Sequence, residues 1–187
     1  MRIVHRFTEP RAFLARAESF LRAEEVENAL MLGICGSARF DDSCYLATVE
    51  EDQAVVACAL RTPPHGALLT RADRQALELL ASDLADKYQD LPAVAGPEPA
   101  VGDFARLWSA RTGVAAGPAM RMRVFEARRV VQPRLPAGTF RAATEADLPT
   151  VARWSAAFID EAGLEPPLGR CSRDRESGPG GHRSPCS

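Results

Sequence analysis

Apolar side chains fall into short periodic blocks along this chain, and the period changes wherever turn residues intervene. Phe13, Leu14, Ala17, Phe20 and Leu21 fall at i, i+1, i+4, i+7 and i+8, the single apolar face of a helix. Thr8-Glu9-Pro10 supplies its start: a hydroxyl cap, an acid near the dipole's positive end and an early proline. Glu24 to Glu27 interrupts the stripe, and a second helix follows through Asn28, Leu30, Leu32 and Ile34, ending near Gly36. Cys44 to Glu50 predicts a strand and Glu51-Asp52-Gln53 a turn. Ala54 to Leu60 (AVVACAL) is a continuous apolar run of the kind found in a strand covered on both faces. Thr62-Pro63-Pro64-His65-Gly66 breaks it, because two prolines remove two ladder donors.

A third strand, Ala67 to Thr70, leads into a helix from about Asp73 to Tyr88, with Asp73 placed to cap it. Leu91 to Gly96 reads as a short strand. Pro97-Glu98-Pro99 then opens a helix bearing Phe104, Leu107 and Trp108 that should stop at Gly113, a left-handed cap position. Met120 to Val131 alternates as a long strand, with Met120, Met122 and Val124 on one face and arginines on the other. The order is β-α-α-β-β-β-α-β-α-β followed by β-α, which predicts an α/β protein built on a mixed sheet.

The last part of the chain is organised differently. Residues 138–163 read as a short strand, a capped start in which Thr144 and Asp147 resemble a capping box, and an amphipathic helix. Arg6-Phe7-Thr8-Glu9 and Arg141-Ala142-Ala143-Thr144-Glu145 each precede such a helix, a weak internal repeat that suggests a duplicated start. Residues 164–187 contain mostly Arg, Ser, Gly and Pro, with no aromatic and no β-branched residue, so they are expected to be disordered. Two origins compete for that segment: an authentic flexible tail, or an out-of-frame or artificially ended translation of GC-rich DNA. The second is preferred, since it also explains a helix face left uncovered. The expected division is a first domain at 1–131, a linker at 132–137, an orphan strand and helix at 138–163, and the tail at 164–187.

Composition narrows the functional classes. The chain has 187 residues, 46% apolar and 26% charged, ordinary values for a globular protein large enough to bury a core without staples. A net charge of −2 gives no electrostatic case for nucleic acid or an anionic membrane. Lys87 is the only lysine, and the many arginines are interspersed with acids rather than clustered for phosphate. No apolar run approaches a membrane span, and the first residues do not resemble a secretion signal, so a cytoplasmic location is expected. Five cysteines, at 35, 44, 58, 171 and 186, show no C-x-x-C pair, and no histidine joins them at ligand spacing. Reduced thiols and no metal site are the expectation.

Several stretches resemble one branch of the GNAT acetyltransferase superfamily. They are Glu25 to Ile34, Ala59 to Pro64 (ALRTPP), Val94 to Pro97 (VAGP), Phe104 to Trp108 (FARLW), and Phe140-Arg141 through Trp154 to Phe158 (WSAAF). Each is short; their order and spacing, across most of residues 7–161, carry the resemblance, as does the element order. Members of this branch look like two GNAT-like halves in tandem, the first degenerate and the second carrying acetyl-coenzyme A. The resemblance implies that this chain is a truncated member: the degenerate first half plus the first strand and helix of the second. It implies acetyl transfer to a small-molecule or peptide amine in the intact protein, with this chain inactive alone.

GNAT enzymes hold the cofactor pyrophosphate on backbone N–H groups at a helix N-terminus, after Q/R-x-x-G-x-G/A, because phosphate must approach the backbone closely. The corresponding stretch, Leu69 to Ala76, has no glycine, and Asp73 would set a carboxylate where the pyrophosphate should lie. No residue of the chain is therefore assigned to the cofactor, and tight acetyl-coenzyme A binding is not expected. Arg71 and Arg74 would attract an anion, although solvated surface arginines are commoner.

Catalytic residues are not identifiable: Tyr45 and Tyr88 follow no family motif, and Cys58 with His65 lacks a third orienting residue. By the same resemblance Trp154 and Phe158, one turn apart, would line the acceptor pocket of an intact protein, although packing in a core is the commoner role for such a pair. The 147–161 helix is also expected to self-associate, dock on the first domain or stay loosely held. A second functional reading, a non-catalytic GNAT-like binding or scaffolding module, stands beside the transferase.

Overall fold

The computed structural model describes residues 1–37, 40–134 and 137–163. It divides into two compact units, Met1–Val130 and Val131–Ser187. The expectation for the 164–187 tail lies outside the described residues.

The first unit is an α/β domain. In chain order it contains β1 (Arg2–Phe7), α1 (Pro10–Ala23), α2 (Glu25–Ser37), β2 (Tyr45–Glu51), β3 (Ala54–Arg61), β4 (Ala67–Leu69), α3 (Arg74–Lys87), β5 (Val94–Ala95) and α4 (Glu98–Thr112). The strands lie side by side in sequence order, β1-β2-β3-β4-β5. The first four are antiparallel, and β4 and β5 run parallel with Ala67 opposite Val94. A parallel neighbour needs a crossover, and α3 supplies it.

Both faces of the sheet are covered, which is why β2 is buried along its length rather than alternately. On one face Tyr45, Ala47, Val49, Ala57, Ala59 and Leu69 pack with Leu77, Leu80 and Leu84 of α3 and Phe104 and Trp108 of α4. On the other, Leu46, Cys58 and Leu60 pack with Phe13, Ala17 and Leu21 of α1 and Met31 and Cys35 of α2. Neighbouring residues on one strand thus feed opposite cores, as a period of two requires.

The turns follow local chemistry. Asp52 and Gln53 both take positive φ, 48° and 66°, the two-residue turn whose twist suits the β2–β3 hairpin. Gly113 ends α4 in the left-handed conformation, its N–H donating to Ser109 O at 2.9 Å. Gly66 and Gly96 answer a different need. A Cβ on Gly66 would stand 2.4 Å from Ala93 O, and one on Gly96 2.4 Å from Leu69 O. The β4 and β5 backbones pass too closely there for a side chain.

Four expectations need correction. Glu9, not Thr8, is the N-cap of α1, and it makes no side-chain capping bond. The second helix buries Asn28, Met31 and Cys35, while Leu30 is 60% exposed. Reading Asn28, Leu30, Leu32 and Ile34 together applied a period of two to a segment that repeats every 3.6 residues. The strand over Met120–Val131 does not form: the segment is irregular, and Met122 and Phe125 are 73% and 84% exposed. Alternation supplies a face to bury but no pairing partner, and β5, only two residues long, offers few ladder groups. The short strand expected from Gly138 is likewise absent.

In the second unit a 3-10 turn, Glu145–Asp147, leads into α5 (Leu148–Glu161). Thr144 and Asp147 form the capping box, with Thr144 N donating to Asp147 Oδ2 at 2.8 Å. Arg141 grips the same carboxylate with both nitrogens, at 2.7 and 2.8 Å, and holds its pKa far below the usual carboxylate range. No residue of α5 is buried.

Candidate functional site

The first unit contains a cleft of about 500 Å³. It opens where the parallel strands β4 and β5 end and two helices begin. Thr70 to Asp73 form one wall as the chain leaves β4 for α3. Pro97, Pro99 and Ala100 form another at the start of α4. Phe20, Ala23 and Glu24 come from the end of α1, and Glu27 and Asn28 from the start of α2.

Hydrogen bonds fix these walls. Thr70 is buried and stitches the end of β4 to β3: its Oγ1 accepts from Cys58 N at 2.9 Å, and its N–H donates to Cys58 O at 3.1 Å. Asp73 caps α3, accepting from Ala76 N at 3.0 Å. Arg2 donates to the same carboxylate and to Glu51 at 3.0 Å. Those bonds hold the Asp73 carboxyl below its ordinary range, Arg2 first and the backbone N–H groups after it. The first turn of α3 is thus closed by its own carboxylate.

Neither arginine of this loop stands free. Arg71 pairs through both arms with Glu27, bridging the β4–α3 loop to α2. Arg74 pairs with Glu78 along α3 at 2.9 Å. Asn28 lines the cleft, 7% exposed, and its Nδ2 donates to Leu21 O at 3.0 Å.

The remaining candidates are dispersed. Cys58 is wholly buried, and burial raises its thiol pKa; His65 lies on the exposed turn after β3, with no hydrogen bond to Cys58. Burial likewise pushes the Cys35 thiol up to about 11. Tyr45 donates to Asp83 Oδ2 at 2.6 Å, where Arg6 Nε also donates at 2.7 Å, a junction tying α3 to β1 and β2. Tyr88 donates to Ser43 O at 2.5 Å, and its ring lies 4.1 Å from the Arg61 guanidinium. Both tyrosines hold structure together. Trp154 and Phe158 share the exposed face of α5, 66% and 63% exposed, around a shallow hollow also lined by Val151 and Ile159.

Among the described residues no three His, Cys, Asp or Glu side chains converge as a metal site would require. No described helix is long and apolar enough to cross a membrane.

Sequence reasoning missed Glu24, Glu27 and Asn28. A signal existed for Asn28: it stands at i with Met31 at i+3 and Cys35 at i+7, a polar residue on an apolar stripe. Nothing local marked Glu27, whose partner Arg71 lies 44 residues away.

Neither the family models, nor the curated proteins, nor the solved structures compared with this chain give a match.

Proposed function

We propose that the chain is a truncated member of the GNAT N-acetyltransferase family. Its first unit is a degenerate GNAT-like half that does not hold acetyl-coenzyme A. Acetyl transfer to a small-molecule or peptide amine belongs to the intact protein, in the cytoplasm, and this chain alone is inactive. The observation that carries the reading is the junction after β4. An α/β sheet with the element order of that family reaches its cofactor position with Asp73 bonded to Ala76 N, where a diphosphate would need a glycine-lined turn. A pyrophosphate there would meet a carboxylate already satisfied by Arg2.

Trp154 and Phe158 then belong to the acceptor side of the second half. The DNA following the codon for Gly163 tests the family assignment. The expected result is a frame encoding Q/R-x-x-G-x-G/A ahead of a further helix; its absence from all three frames overturns the assignment.

The cleft favours a second reading, a non-catalytic binding module. Its volume of about 500 Å³ lies within the range of small-molecule sites, and its lining mixes apolar with polar side chains.

A further inference from the structure

The cleft of the first unit combines apolar walls with uncommitted hydrogen-bond acceptors. Phe20, Ala72 and Pro97 supply apolar surface. Asn28 is the informative polar group. It is more than nine-tenths buried and lines the cleft. Its Nδ2 donates to the Leu21 carbonyl, which can only accept, so the amide orientation is set and Oδ1 is left as an acceptor. Oδ1 has no partner among the described residues, yet it is not enclosed: the fully buried unpaired side-chain atom found among them is Arg2 Nε. Asn28 is among the residues that line the cleft.

Charge points the same way. Three carboxylates line the cleft, from Glu24, Glu27 and Asp73, against one cation, Arg71. Arg71 is engaged by Glu27 through both arms, and Asp73 by Arg2 and its own helix. Glu24 makes no ion pair among the described residues. The groups still available are therefore acceptors, Glu24 and Asn28 Oδ1. A ligand that carries only donors and a positive charge matches them, whereas an anion meets an excess of carboxylate.

We propose that this cleft binds a primary ammonium group on a compact apolar body. The ammonium lies between Glu24 and Asn28 Oδ1, and the apolar part rests on Phe20, Ala72 and Pro97. The inference rests on the binding-module reading and deepens it; it does not require acetyl transfer. Glu24 is exposed, so its ion pair contributes little and most affinity comes from the walls. A ligand of this size should bind with a dissociation constant on the order of 0.1–1 mM.

The test is a 1H–15N NMR titration of the full chain with 2-phenylethylammonium, and separately with 3-phenylpropionate, its anionic near-isostere. The expected result is saturable shifts for the amine at residues 20–28, 70–73 and 97–100, and markedly weaker binding of the acid at the same residues. Glu24→Gln should weaken amine binding about three- to fivefold. Arg71→Gln, which releases the Glu27 carboxylate, should tighten it. Equal binding of the acid, amine shifts confined to other surfaces, or indifference to both substitutions would overturn the proposal. Acetyl-coenzyme A titrated into the same sample separates the two readings. Its binding would remove the cofactor argument, while a silent amine titration removes only this one.

Discussion

At the scale of single residues, the legible features were those whose partners lie within a few positions. Asp73 caps α3 and Gly113 ends α4 because a cap needs only its own helix. Gly96 shows the opposite case. Its role depends on Leu69, 27 positions away, whose carbonyl leaves no room for a Cβ. Gly96→Ala should cost roughly 1–3 kcal/mol in urea denaturation, since the backbone must move and φ stands at +152°. An unchanged midpoint would mean that the close approach of β4 and β5 does not constrain the domain.

Glu50 offers a pH test. It is buried in β2, accepts from Arg16 Nε at 2.8 Å and from Thr48 Oγ1 at 3.0 Å, and its pKa is lowered chiefly by the arginine. A depressed carboxylate contributes fully above its unfolded value of about 4.3 and loses that contribution as pH falls toward the native value. Glu50→Gln should therefore be less stable than the parent at pH 7, with the gap closing below about pH 4. A gap that stays constant from pH 7 to pH 3 would contradict the assigned pairing.

At the scale of elements, periodicity and turn residues located α1, β2, β3, β4, α3 and α4, each of which packs in a core beside the sheet. By contrast β1 was given no residues, and the buried face of α2 was misread. Periodicity failed at Met120–Val131, where alternation of the side chains was present but no long strand edge awaited them. A helix needs only its own backbone to satisfy its hydrogen bonds; a strand needs a neighbour. The same distinction bears on α5, which forms its backbone bonds and capping box yet buries nothing. Isolated helices of this length are marginal in water. Amide exchange should be far faster across 148–161 than across α3, where Leu77, Leu80 and Leu84 are wholly buried. Comparable protection in both would mean that Trp154 and Phe158 have found a partner surface.

At the scale of the whole molecule, the α/β class was legible because short strands and capped helices alternate with a regularity that few other arrangements explain. The candidate site was half legible. Its α3 wall appeared in the sequence through Asp73, but the α1–α2 corner did not, because Asn28 and Glu27 act only once a loop from beyond residue 69 is folded against them. Such long-range pairings leave no local mark in a single chain.

Isothermal titration of the 187-residue chain with acetyl-coenzyme A is the most direct test of the claim that a carboxylate fills the diphosphate position. The expected result is no saturable heat at micromolar concentrations. Saturable micromolar binding that Asp73→Asn strengthens would contradict it, since the cradle would then exist and hold its cofactor despite that side chain.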